Sequence, residues 1–128
     1  MRREVRAVGR AAVFPAATVR VARWTWSAHH QLRRSLRTQG IDAVDRVQPP
    51  PAVAARHRST VFAVLALSRS TCLVRSAVLR RWDMAHDRFR PLVLGVARKP
   101  DGTIAAHAWL DGEASAEGFV ELHRRPPA

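Results

Sequence analysis

Apolar and polar positions divide the chain into a helical first two thirds and a strand-like last third. From Ala54 to Ser68, the apolar residues Val61, Phe62, Leu65 and Ala66 fall on one face at helical spacing. A polar break, Ser68-Arg69-Ser70-Thr71, leads into a second helix from Cys72 to His86, where Leu73, Val74, Ala77, Val78 and Trp82 keep the same period. Thr71 or Ser70 is placed to cap its first turn by accepting a bond from a free backbone N–H. Upstream, Thr18 to Arg37 contains no Gly or Pro and stops near Gly40, which predicts another helix in a basic segment. Between these regions, Gln48-Pro49-Pro50-Pro51 fits neither a helix interior nor a central strand.

Beyond Arg90 the period changes. Pro91 to Ala97 reads as a buried strand, Pro100-Asp101-Gly102 as a turn, and Thr103 to Leu110 as a second strand. Asp111-Gly112 is a two-residue hairpin signal, and Gly118 to His123 completes the pattern as a short third strand. Helices followed by an antiparallel sheet predict an α+β fold. The divisions expected are a basic helical segment over 1–47, a proline-rich linker over 48–54, and a core over 55–128.

Charge adds a second layer. The chain has 128 residues, the length of one domain, and a net charge of +12, with Lys99 as its only lysine. The arginines are scattered, and no ribonucleoprotein motif or zinc-finger spacing goes with them, so an acidic peptide or protein partner explains the charge as well as nucleic acid does. The apolar stretch from Ala11 to Val19 is interrupted by Pro15 and bounded by Arg10 and Arg20, too short to span a bilayer. A cytoplasmic protein with no membrane contact is expected.

Chemistry concentrates at the only cysteine, Cys72. A thiol at a helix N-terminus meets unpaired N–H groups and the positive end of the helix dipole, and both favour the thiolate. The plainer alternative is a buried thiol acting as a small hydrophobe. His107 stands within the second predicted strand, among small apolar neighbours, and reaches the cysteine if the sheet packs on that helix. His29, His30, His57, His86 and His123 show no metal-ligand spacing, and no glycine loop cradles a phosphate. Neither metal nor cofactor is expected.

Thr71-Cys72-Leu73-Val74-Arg75-Ser76 followed by Ala105-Ala106-His107-Ala108-Trp109-Leu110, with Gly95-Val96 between them, resembles the peptidases of lasso-peptide maturation. That transglutaminase-like group also includes the C-terminal domain of the microcin-processing protein, and the resemblance spans roughly residues 55 to 123. It implies a transglutaminase-like, papain-like fold and a Cys-His-acid triad that removes the leader from a ribosomally made precursor peptide. Cys72 would be the nucleophile and His107 the base. In the family the acid follows on the next strand. A two-residue turn at Asp111-Gly112 would set residue 116 opposite His107 and make Glu117 the nearest carboxylate. Asp111 shares the His107 face but lies roughly 13 Å along the strand, and Glu121 becomes the candidate if the loop is longer. Arg75, Ser76 and Trp109 would support the substrate or the site. The family further implies a separate leader-binding protein and an ATP-dependent cyclase as partners, and the basic segment with Trp24 and Trp26 is a candidate for docking the leader-binding protein. An inert scaffold of the same complex and an Arg-rich nucleic-acid binder are the competing readings.

Overall fold

In the computed structural model residues 2–113 and 118–127 are described, with side chains from residue 16 onward. Three helices precede three strands, in the order the periodicity predicts. The first helix, α1 (Arg2–Gln39), extends well before Thr18, because Pro15 removes one donor from the ladder without ending it. Gly40 stops it with a φ of +68°, a conformation that glycine adopts without strain. A 3-10 turn (Gly40–Arg46) then buries Ala43 and Val44.

The buried stripe of α1 is Val21, Thr25, Ala28, His29 and Leu32, recurring at helical spacing. It packs on α2 (Arg58–Leu67) and α3 (Cys72–Ala85). Val21, Ala28 and Leu32 share one apolar core with Val61, Leu65, Val74, Ala77, Val78 and Trp82. The proline stretch runs extended between these helices and is fastened to both. Trp24 Nε1 donates to Gln48 O at 3.2 Å, and Arg81 Nε donates to Val47 O at 3.1 Å.

The sheet holds β1 (Leu92–Arg98), β2 (Ile104–Leu110) and β3 (Val120–Arg125), all antiparallel, with β1 in the centre. The turn at Pro100-Asp101-Gly102 forms as expected. Gly102 takes a φ of +86°, and Asp101 Oδ1 accepts from both Thr103 N (3.0 Å) and Thr103 Oγ1 (2.6 Å).

The hairpin predicted at Asp111-Gly112 is not made. β2 and β3 flank β1 on opposite sides and do not pair, so no residue of β3 lies directly opposite His107. Asp111 N instead donates to Pro91 O at 3.0 Å and prolongs the β1–β2 ladder. The physical reason lies at the outer edge of β2, where Cys72 and Ser76 of α3 already bond the backbone of Ala108, so the edge left for β3 is that of β1. An Asp-Gly turn signals only that the chain reverses, not which strand it joins.

Pleating sorts the sheet into two faces. Leu92, Leu94, Ala108 and Leu110 belong to the helical core, and Val93, Gly95, His107 and Trp109 face away from it. A Cβ at Gly95 would lie 2.5 Å from the Trp109 ring and 2.7 Å from Val120 O, so only glycine admits this close approach. On the other strand edge a bulge leaves Leu122 unpaired between the Leu94–His123 and Gly95–Glu121 pairs.

Candidate active site

Helix α3 places the site. Of the two caps the sequence allows, Thr71 is the N-cap, and Thr71 Oγ1 accepts from Val74 N at 3.3 Å. Cys72 is the first helical residue and is half-buried. Its sulfur accepts the N–H of Ala108 at 3.4 Å, and one turn later Ser76 Oγ donates to Ala108 O at 3.2 Å. The N–H and C=O of a strand residue lie in the plane of the sheet, so their partners stand along its edge rather than over a face. Cys72 and Ser76 therefore cap the outer edge of β2.

His107 precedes Ala108. Its α-carbon is two bonds from the nitrogen that contacts the sulfur, so thiol and imidazole belong to groups joined through a single peptide unit. The ring lies on the face turned away from α3, 5.7 Å from the Trp109 ring and 4.9 Å from that of Phe119. Among the described residues no hydrogen bond joins it to Cys72. Trp109 shares the His107 face, and its ring lies over Gly95.

The carboxylates are placed less simply. Glu117 falls outside the described residues. Glu121 pairs with Gly95, which pairs with His107, so it stands in the same row of the sheet with the central strand between. That separation is two inter-strand spacings, about 10 Å. Asp111 lies beyond the end of β2. Both acids are held by Arg124, with Nη2 at 2.7 Å from Glu121 Oε1 and Nη1 at 3.1 Å from Asp111 Oδ2. Those two bonds hold the Arg124 guanidinium above its usual pKa. Arg75 is half-buried and forms no ion pair among the described residues.

One contributor was not identified from the sequence. The loop before Cys72 is tied to α1 by Ser70 Oγ and His29 Nδ1, 2.7 Å apart, and Ser70 N donates to Leu65 O at 3.1 Å. His29 is buried, and burial first, then the nearby His30 and Arg33 charges, lower its pKa. Its signal in the sequence is its place in the stripe of Val21, Thr25, Ala28 and Leu32, one position from Ala28. A polar residue in such a stripe needs a buried partner.

Trp24 is spent inside the molecule, its ring 6.0 Å from that of Trp82, whereas Trp26 is exposed. No group of three metal-binding side chains is found among the described residues, and no described helix is long and apolar enough to cross a membrane.

A family model described as the transglutaminase-like superfamily matches residues 2–125, which takes in α1 as well as the cysteine helix and all three strands. No curated protein and no solved structure matches the chain.

Proposed function

Since the chain belongs to the transglutaminase-like superfamily, whose members include cysteine proteases, we propose that it is a cysteine peptidase that removes the leader from a ribosomally made precursor peptide in lasso-peptide maturation. The observation that carries the reading is the contact of Cys72 Sγ with the backbone of the strand that bears His107. Nucleophile and base need to share one edge, and this contact supports that.

In the proposed reaction the His107 imidazole takes the thiol proton and Cys72 attacks the peptide carbonyl carbon. The carbonyl oxygen becomes an oxyanion facing the N-terminus of α3, where the Cys72 amide is a donor. The C–N bond then breaks as the imidazolium returns the proton to the leaving amine. Water attacks the resulting thioester, giving up a proton to His107, and the carboxylic acid leaves as the thiol reforms. Glu121 is the described acid that best suits orientation of the ring, provided Arg124 releases it. Trp109 and Phe119 wall the imidazole from water, and Arg75, with no ion pair among the described residues, is placed to receive a substrate carboxylate.

The resemblance supports a separate leader-binding protein as partner, residues 1–47 as its docking segment, and an ATP-dependent cyclase that receives the product, all in the cytoplasm. The test is direct. Cys72→Ala abolishes cleavage of a precursor peptide and leaves the far-UV spectrum unchanged, and retained cleavage overturns the proposal. An inert scaffold is distinguished by alkylation, since an activated Cys72 reacts with iodoacetamide near neutral pH much faster than a free thiol of pKa about 8.5.

A further inference from the structure

The outer edge of β2 is half closed and half open, and the boundary falls at Cys72. Along an antiparallel edge strand, alternate residues turn their N–H and C=O toward the neighbouring strand and the others turn theirs outward. Ala108 turns both outward, to Cys72 and Ser76. Leu110 does the same, its N–H donating to Glu113 Oε1 at 3.3 Å and its C=O accepting from Glu113 N at 3.1 Å. By the same alternation Ile104 and Ala106 also point outward. Among the described residues nothing receives them, and both are exposed.

An unpaired row of N–H and C=O groups is a template for another strand. Native folds cover such edges, and here the covering stops where α3 begins. The uncovered part leads straight to the sulfur. Ile104 is four residues from Ala108, so an extended peptide laid on this stretch runs about 13 Å before its backbone meets Cys72. The small side chain of Ala106 leaves the approach clear.

We propose that the substrate peptide is taken as an added strand on the open edge of β2, pairing with the backbone of Ala106 and Ile104, so that the carbonyl to be attacked arrives at Cys72. This rests on the reading of Cys72 as nucleophile and adds how its substrate is held. Recognition at this stretch is by backbone, so the peptide must be extended and must carry free N–H groups at alternate positions. A proline or an N-methyl group at a pairing position abolishes the hold. Side-chain selectivity then falls to residues beyond the paired stretch.

The test uses two reagents with one warhead. Tetra-alanine chloromethyl ketone and chloroacetone both alkylate a thiolate with loss of chloride, and only the first can pair as a strand. Cys72 of the full chain is expected to react at least tenfold faster with the peptide reagent. In Ala106→Pro, which removes an outward N–H and leaves the β1 ladder intact, that ratio falls toward one while the chloroacetone rate holds. The peptide reagent N-methylated at alternate residues, used on the unaltered protein, loses the advantage in the same way and does not depend on the variant folding. A ratio unchanged by both manipulations overturns the inference. So does a dimer in sedimentation that Ala106→Pro dissolves, since a second copy would then be the strand on this edge. Failure of the parent reading looks different: chloroacetone then reacts with Cys72 no faster than with free cysteine, whatever the ratio.

Discussion

The two ends of α3 are built on opposite plans. At its C-terminal half Arg80, Arg81, Trp82 and Asp83 all have partners, and only the Nε of Arg80 is buried there with no hydrogen bond among the described residues. The Trp82 ring sits between those of Trp24 and His86, 6.0 and 4.4 Å away. Asp83, buried, accepts from Arg58 Nε at 2.8 Å and Arg90 Nη2 at 2.9 Å, which binds α2 and the approach to β1 onto the helix. Arg80 bonds Asp45 and the carbonyl of Pro126, and Arg125 also bonds Asp45, so the chain's end is strapped to the 3-10 turn. The Asp45 carboxyl shows the balance: burial pushes its pKa up, and the hydrogen bonds and charges of Arg80 and Arg125 bring it below the usual range. At the N-terminal end the thiol has one N–H partner, Arg75 has no ion pair among the described residues, and the edge beyond Cys72 stands open. Saturated contacts make a scaffold, and unsaturated ones leave capacity for a substrate.

Damage at the two ends therefore differs in kind. Trp82→Ala is the largest expected effect. It empties a fully buried site and costs about 4 kcal/mol of unfolding free energy, read from urea denaturation. The alkylation rate of Cys72, corrected for the fraction folded, stays within twofold. A loss under about 1 kcal/mol would mean that the C-terminal half is no more consolidated than the other.

Asp83→Ala comes next. It leaves Arg58 and Arg90 facing each other with no carboxylate between them, and removing one partner of a buried pair costs about 3 kcal/mol. The Arg58 guanidinium is held above its usual pKa chiefly by its hydrogen bonds to Asp83, against the opposing effect of burial. Asp83→Asn retains part of the bonding and loses less. Equal losses in the two variants would show that charge contributes nothing beyond shape at this site.

The same contrast explains what could be read from the sequence. The cap at Thr71, the start of α3 at Cys72 and the turn at Asp101-Gly102 are local, each decided by residues within four positions, and each forms. Strand order is not local. Asp111-Gly112 reverses the chain, but β3 joins the free edge of β1, because Cys72 and Ser76 of α3 already meet the outer edge of β2. That one fact removes the register that made Glu117 the nearest acid. His107 was identified as a strand residue, but its face depends on which residues of β1 meet the helices. Nothing near His29 in the sequence identifies its partner, because Ser70 lies 41 positions away.

His29 provides the third prediction, at the seam between the two regions. His29→Ala strips Ser70 of its partner and should cost about 2 kcal/mol, with the alkylation rate of Cys72 falling severalfold because the loop before it is freed. His29→Gln, which can still bond Ser70, restores most of the rate. The pH dependence has a definite sign. Folded His29 binds its proton less readily than an unfolded imidazole, so the unfolded state gains the extra proton as pH falls. The stability present above the unfolded value of about 6.5 is lost progressively as pH drops from there through the lower folded value, and His29→Gln flattens that slope. An unchanged slope would place the acid sensitivity elsewhere.

The smallest effect bears most finely on the comparison. Thr71 is exposed, and among the described residues its hydroxyl has one bond, accepting the Val74 N–H across a long 3.3 Å. Thr71→Ala therefore costs about 1 kcal/mol or less, hardly visible beside Trp82→Ala. Its consequence for the thiol should be out of proportion. With the cap gone the first turn frays, and the N–H groups beside the thiol lose their alignment. Alkylation near neutral pH should slow more in Thr71→Ala than in Trp82→Ala at equal fraction folded, and Thr71→Ser, which keeps the cap, should recover it. Were Trp82→Ala to slow the thiol more, reactivity would follow global stability and the two ends of the helix would be one structure.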